Sequence, residues 1–170
     1  DRGYQVFLLH NTSDRECLSY LPLFVKRTKK ELTIFYTGHA TNVKDSGGND
    51  NNVESMVFDS GSVSDDQFFS CIAENANGKT RILLLADCCH AGTLWNRPQD
   101  SKNNITLPQN IISLYSTKIS ETAKKTAIGK KSQGIFTYFL WKEIREKKQV
   151  TVNQISSEIN AKLKNYNETF

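Results

Sequence analysis

Cysteine is scarce in this chain. Cys17, Cys71, Cys88 and Cys89 are the only four in 170 residues, too few for a disulfide framework at this length. The adjacent pair does not readily bridge itself, because a disulfide needs more separated backbones. Reduced thiols, and with them a cytoplasmic setting, are the expectation. Long hydrophobic runs are also missing: none approaches the roughly 20 apolar residues that cross a bilayer. The opening Asp1-Arg2-Gly3-Tyr4 lacks the character of a secretion signal. Charge of one sign is lacking as well. The net charge is +4, and the basic residues fall in small groups at 26–30, 124–125 and 145–148. A nucleic-acid binder gathers such residues on one face with aromatics between them, so neither nucleic acid nor membrane is expected as a partner.

What is present suits one packed domain. Hydrophobic residues make up 38% of the chain and charged residues 24%, enough for a single core without staples. Residues 4–9 form an apolar run that reads as a strand. Asn11-Thr12-Ser13-Asp14 then offers caps for a helix carrying Cys17, Leu18 and Leu21, which Pro22 should kink or restart. Leu32-Thr33-Ile34-Phe35-Tyr36 is β-branched and aromatic and reads as a strand ending at Gly38-His39. Residues 41–52, rich in Asn, Asp, Ser and Gly, read as a loop, followed by a short strand over 55–58.

Ser64 and Gln67 make a capping box for a helix with Asp65 and Asp66 in its first turn, which Asn77-Gly78 ends. Residues 81–86, RILLLA, suit a strand buried on both faces of a parallel sheet. Polar loops are expected over 96–104 and 118–133, with a strand at 111–115 between them. Helices are expected over 135–147 and from Thr151, where Thr151 and Gln154 form a second capping box. The alternation predicts an α/β sandwich with a mainly parallel sheet and helices on its faces.

Open α/β sheets bind ligands outside the carboxyl ends of their strands. Gly38-His39 follows one such end, and Cys88-Cys89-His90 follows another. Neighbouring parallel strands would bring both to one sheet edge. A thiolate is the competent nucleophile and needs an imidazole or a positive dipole nearby to form at neutral pH. His39 would supply the imidazole and return the proton to the leaving amine. Gly38 and the Cys89 amide are the natural donors to a developing oxyanion. A zinc site from His39, Cys88, Cys89 and His90 is not expected, because paired zinc ligands need two or more residues between them. Cys88 reads as structural, His10 as a surface or strand-end residue, and His90 as a residue that shapes the site without serving as base.

At these residues the chain resembles the metacaspases, a family of caspase-like cysteine proteases. Phe35-Tyr36-Thr37-Gly38-His39 is similar to their histidine motif, usually Tyr-Ser-Gly-His-Gly. Asp87-Cys88-Cys89-His90-Ala91-Gly92 is similar to their cysteine motif, Asp-x-Cys-His-Ser-Gly, and selects Cys89 over Cys88. Gly134-Ile135-Phe136-Thr137 resembles the start of a late helix in that family.

The resemblance implies a caspase-like three-layer sandwich and a thiol protease cutting after Arg or Lys. It gives Asp87 and Thr37 a place in the substrate pocket, and a carboxylate there suits a basic side chain. It implies calcium activation in many members. Asp65 and Asp66 match an acidic pair that binds the ion in some, and the loop at 45–54 is oxygen-rich in the way calcium prefers. No cofactor is needed for the chemistry itself, and a monomer is implied.

Ala40 and Ala91 depart from the family's glycine and serine. The family's first strand and helix have no counterpart before residue 4. The chain is therefore expected to be a fragment or processed piece, or to have its sheet completed by another segment. A second reading stays open, an inactive caspase-like regulatory or scaffold domain. The segments 96–104 and 118–131 are expected sites of self-cleavage.

Overall fold

The computed structural model describes residues 3–44, 52–89, 91–95, 108–117, 125–128, 131–147 and 151–168. The expected polar loop at 96–104 and His90 lie outside them. The element order is α1 (Asp14–Arg27), β1 (Glu31–Thr37), β2 (Ala40–Lys44), β3 (Asn52–Val57), β4 (Ser62–Ser64), α2 (Asp65–Asn75), β5 (Arg81–Asp87), α3 (Ala91–Leu94), β6 (Ile111–Tyr115), β7 (Lys125–Ile128), β8 (Lys131–Gly134), α4 (Ile135–Glu146) and α5 (Val152–Glu168).

β5 is the middle of a three-stranded sheet of order β1-β5-β6, and both its pairings are parallel. Its alternate side chains separate two cores. Ile82, Leu84 and Ala86 join the cluster built with α1, α2 and α3, through Leu21, Val25, Phe68, Phe69, Ile72 and Leu94. Leu83 and Leu85 face the other way and pack with Phe136, Leu140, Ile155 and Ile159 of α4 and α5. A strand's period of two does this sorting. The continuous apolar run at 81–86 is thus explained by helices on both faces, and the result is the three-layer α/β sandwich that the pattern predicts.

Local signals place the helices. Ser13 accepts from the Glu16 amide, and the Glu16 side chain returns to the Ser13 amide, so α1 opens on a capping box. Ser64 and Gln67 do the same for α2, and Thr151 and Gln154 for α5. Gly78 takes a φ of +71 just beyond α2, a conformation glycine adopts without penalty.

Four expectations are corrected. Residues 4–9 form no strand. Val6 is 85% exposed and Leu8 83%, because apolar content alone cannot make a strand without a neighbour to receive its backbone bonds. Pro22 does not restart α1, which runs as one helix from 14 to 27 with Leu21 and Val25 buried; this packing offsets the lost donor. Residues 41–44 and 52, expected within a loop, belong instead to β2 and β3, an antiparallel pair with Ala40 opposite Met56; β4 completes this small sheet. Within the expected loop at 118–133, β7 and β8 form an antiparallel hairpin ladder, Lys125 opposite Gly134.

Candidate active site

The register of β1 and β5 sets the geometry. Thr37 is level with Asp87 as the last paired residues of the two strands. His39 and Cys89 each lie two residues further on, at the same edge of the sheet. Hydrogen-bonded neighbours of this kind run about 4.8 Å apart, so Thr37 and Asp87, fifty residues apart in sequence, are adjacent.

The His39 backbone is fixed by β3 and by one phenol. The Val57 amide donates to the His39 carbonyl at 2.9 Å. The Tyr36 hydroxyl lies 2.6 Å from the His39 carbonyl and 3.0 Å from that of Val57, and it accepts from the Val57 amide at 3.1 Å. Burial, above all, pushes the Tyr36 phenol up to about 12, so it keeps its proton and remains a donor. Gly38 makes room for this arrangement: a Cβ there would sit 2.8 Å from the Tyr36 hydroxyl oxygen. The His39 side chain is exposed, within reach of solvent and ligand.

The two adjacent cysteines differ in burial. Cys88 is 1% exposed, and burial, with Asp87 and Cys89 adding to it, raises its thiol to about 12. It is an inert member of the core. Cys89 is only half-buried. Cys17 and Cys71 are both raised to about 11, chiefly by burial, so neither competes as a thiolate. All four cysteines are free.

Asp87 is 6% exposed and its carboxylate faces α4. Oδ2 accepts from the Thr137 amide at 3.1 Å and from the Thr137 hydroxyl, which caps a helix whose own N-cap residue, Gly134, has no side chain to do so. The contact also dictates the glycine: a Cβ on Gly134 would collide with Oδ2. Thr37, exposed at the end of β1, is paired with Asp87 and so shares its face of the sheet.

Asp65 and Asp66 sit in the first turn of α2. Burial, opposed by the Asp66 amide and reinforced by the charges of Glu54 and Asp66, raises the Asp65 carboxyl to about 7. Glu54, 8% exposed, accepts from the Asn42 side-chain amide at 3.1 Å. Among the described residues no three His, Cys, Asp or Glu side chains converge as a metal site. A shallow groove between α1 and α2, lined in part by Leu18, Pro22, Ser70 and Cys71, includes Asp66 but none of His39, Asp87 and Cys89.

The raised carboxyl has a consequence for stability. Asp65 titrates higher in the folded chain than its ordinary 3.8, so its contribution favours folding at low pH and is lost as pH rises from about 4 through about 7. Asp65→Asn is expected to raise the melting temperature at pH 8 relative to wild type and to change it less at pH 5, as thermal melts at the two pH values would show. An equal effect at both would contradict this.

Ser116 and Thr117 escape sequence reasoning altogether; their one hint is a polar pair directly after an apolar strand. Tyr36, Gly134 and Thr137 are marked there only as members of motifs, and their contacts lie across the fold.

No helix among the described residues is long and apolar enough to cross a membrane. No curated protein matches the chain in sequence. In fold, it is similar to the crystal structure of protein GSU0716 from Geobacter sulfurreducens, a structural-genomics target. The TM-score is 0.67 at 15% identity, over 86% of this chain and 67% of that one. A model of the caspase domain, the fold of peptidase family C14, matches residues 1–169. The chain belongs to the caspase-domain family of cysteine-type peptidases.

Proposed function

We propose that this caspase domain is a metacaspase-type cysteine endopeptidase that cuts after Arg or Lys through a Cys89–His39 dyad. The observation that carries the reading is the β1–β5 register, which ends both strands level and sets His39 and Cys89 each two residues beyond. Cys89 gives its proton to His39 and attacks the scissile carbonyl. The amides of Gly38 and Cys89 stabilise the oxyanion. His39 then protonates the leaving amine, and water, deprotonated by the same imidazole, releases the acyl group.

Asp87, with Thr37 beside it, selects a basic side chain before the cut. The carboxylate's second oxygen, Oδ1, has no partner among the described residues, which leaves it for a guanidinium or ammonium. The contact with α4 orients the carboxylate rather than exhausting it. Calcium would be held at Asp65 and Asp66, where a cation offsets the clustering of Asp65, Asp66 and Glu54 that burial makes costly. Free cysteines suit a reducing, cytoplasmic setting. The partner is a polypeptide substrate, and the working unit is a monomer.

Fluorogenic peptides ending in Arg, Lys or Asp test this, with calcium and with a chelator, at pH 6 and pH 8. Cleavage after Arg and Lys is expected, enhanced by calcium and more so at pH 8, where Asp65 is ionised. Cleavage after Asp would overturn the pocket assignment. Calcium-independent turnover would remove the metal proposal. Silence under every condition would favour a caspase-like scaffold that no longer cleaves.

A further inference from the structure

The turn that carries Cys89 is held from one side by β6. Ala86 is level with Tyr115 in the parallel ladder, and the Ser116 amide extends it to the Ala86 carbonyl at 2.9 Å. Thr117 therefore stands beside Cys88, two residues beyond the pair. Its hydroxyl donates to the Cys88 carbonyl at 3.2 Å and accepts from the Ala91 amide at 2.9 Å. Ser116 adds a second, longer donation to the same carbonyl, 3.3 Å.

The two Thr117 contacts bracket Cys89 and the residue after it, so a single side chain ties together the two ends of the turn. Thr117 is 4% exposed. Burying a hydroxyl is unfavourable unless its bonds are made. Valine would fill the same volume without that cost, so the hydroxyl's contribution lies in the backbone groups it holds. Those groups decide where the Cys89 thiol and amide point. The Cys88 carbonyl belongs to the peptide between Cys88 and Cys89, so its two donors restrain the plane of that peptide and with it the direction of the Cys89 N–H, while the Ala91 amide holds the far end of the turn.

We propose that Thr117 is a positioning residue for the reaction: its hydroxyl locks the turn that aims the Cys89 thiol and amide at the substrate carbonyl. The inference rests on Cys89 being the nucleophile. A loosened turn reduces the fraction of complexes in an attacking geometry and weakens the oxyanion bond, both of which act on kcat rather than on substrate affinity.

Thr117→Val, Thr117→Ser and Ser116→Ala in the full chain test it, read by kcat and KM on an Arg peptide, by melting temperature, and by the rate at which iodoacetamide alkylates Cys89 at pH 7. Thr117→Val is expected to lower kcat by roughly ten- to a hundredfold with KM near wild type, in line with the loss of a single positioning contact, and to slow alkylation of Cys89. Thr117→Ser, which keeps the hydroxyl, is expected to restore most of both. Ser116→Ala is expected to have the smaller effect. If Thr117→Val does not fold, Thr117→Ala carries the same expectation. Wild-type kcat in the folded valine or alanine variant, or a serine variant as impaired as the valine one, overturns the proposal. The alkylation rate is read without turnover. A chain that cleaves nothing, or cleaves equally well as Cys89→Ala, refutes the protease reading while leaving the Thr117 comparison intact.

Discussion

Cys89→Ala is expected to reduce peptide cleavage to background while leaving the melting curve unchanged. The half-buried position of the side chain means that losing one sulfur atom leaves no sealed cavity, and the chemistry has no substitute nucleophile. Cys88 is next in sequence but is buried, with its thiol held at about 12; in the family chemistry it is the thiolate that attacks. His39→Ala is expected to lower kcat by about 10²- to 10⁴-fold, the usual effect of losing a general base. Its side chain is exposed, so stability should again be unaffected. Kinetics and thermal melts on the two variants check this together. Loss of activity accompanied by loss of folding would point to structural roles instead.

Asp87 is expected to separate two functions when varied in two ways. Asp87→Asn keeps a carbonyl oxygen that can accept from the Thr137 amide, so α4 stays capped, but the charge is gone. Cleavage after Arg and Lys is expected to fall by roughly ten- to a hundredfold, the effect of losing a hydrogen bond to a charged group, with only a small fall in melting temperature. Asp87→Ala removes the cap as well and is expected to cost a further 0.5–2 kcal/mol or so of stability. Peptide kinetics and denaturant melts on both variants read the two effects apart. Asp87→Asn with unchanged cleavage after Arg would confine Asp87 to its structural role at α4.

Asp87 also shows why a residue's role is hard to read from its neighbours in sequence. The Asp-x-Cys-His motif marks it, but its hydrogen-bonded partner is Thr137, fifty residues away. Gly134 looks like a helix-opening glycine, yet the reason for it is the Asp87 carboxylate on which a Cβ would collide.

Where a local signal was strong, the fold was legible. The run at 81–86 reads as a doubly buried strand because helices do cover both faces. Ser64 with Gln67 and Thr151 with Gln154 mark helix starts because the capping bonds are local. The ladders β2–β3 and β7–β8 were hidden, since their residues are polar and lack a clear alternation; antiparallel pairing, which local composition does not encode, makes them strands. Residues 4–9 are the opposite case, apolar enough for a strand yet outside every strand of the fold.

The candidate site divides along the same line. Cys89 and His39 stand directly after apolar runs, so a sheet edge could be anticipated for both. The Tyr36 phenol beneath the His39 carbonyl and the Thr117 clamp depend on how β1, β3, β5 and β6 lie against each other, and only the folded chain reveals them.

The rate of Cys89 alkylation by iodoacetamide at pH 7, mapped by mass spectrometry in wild type and in His39→Ala, tests the dyad most directly. If the imidazole lies against the thiol, wild type reacts faster than the variant, by roughly tenfold, because the neighbouring base supports the thiolate. Equal rates would show that residue 39 does not sense residue 89, and the dyad would be contradicted.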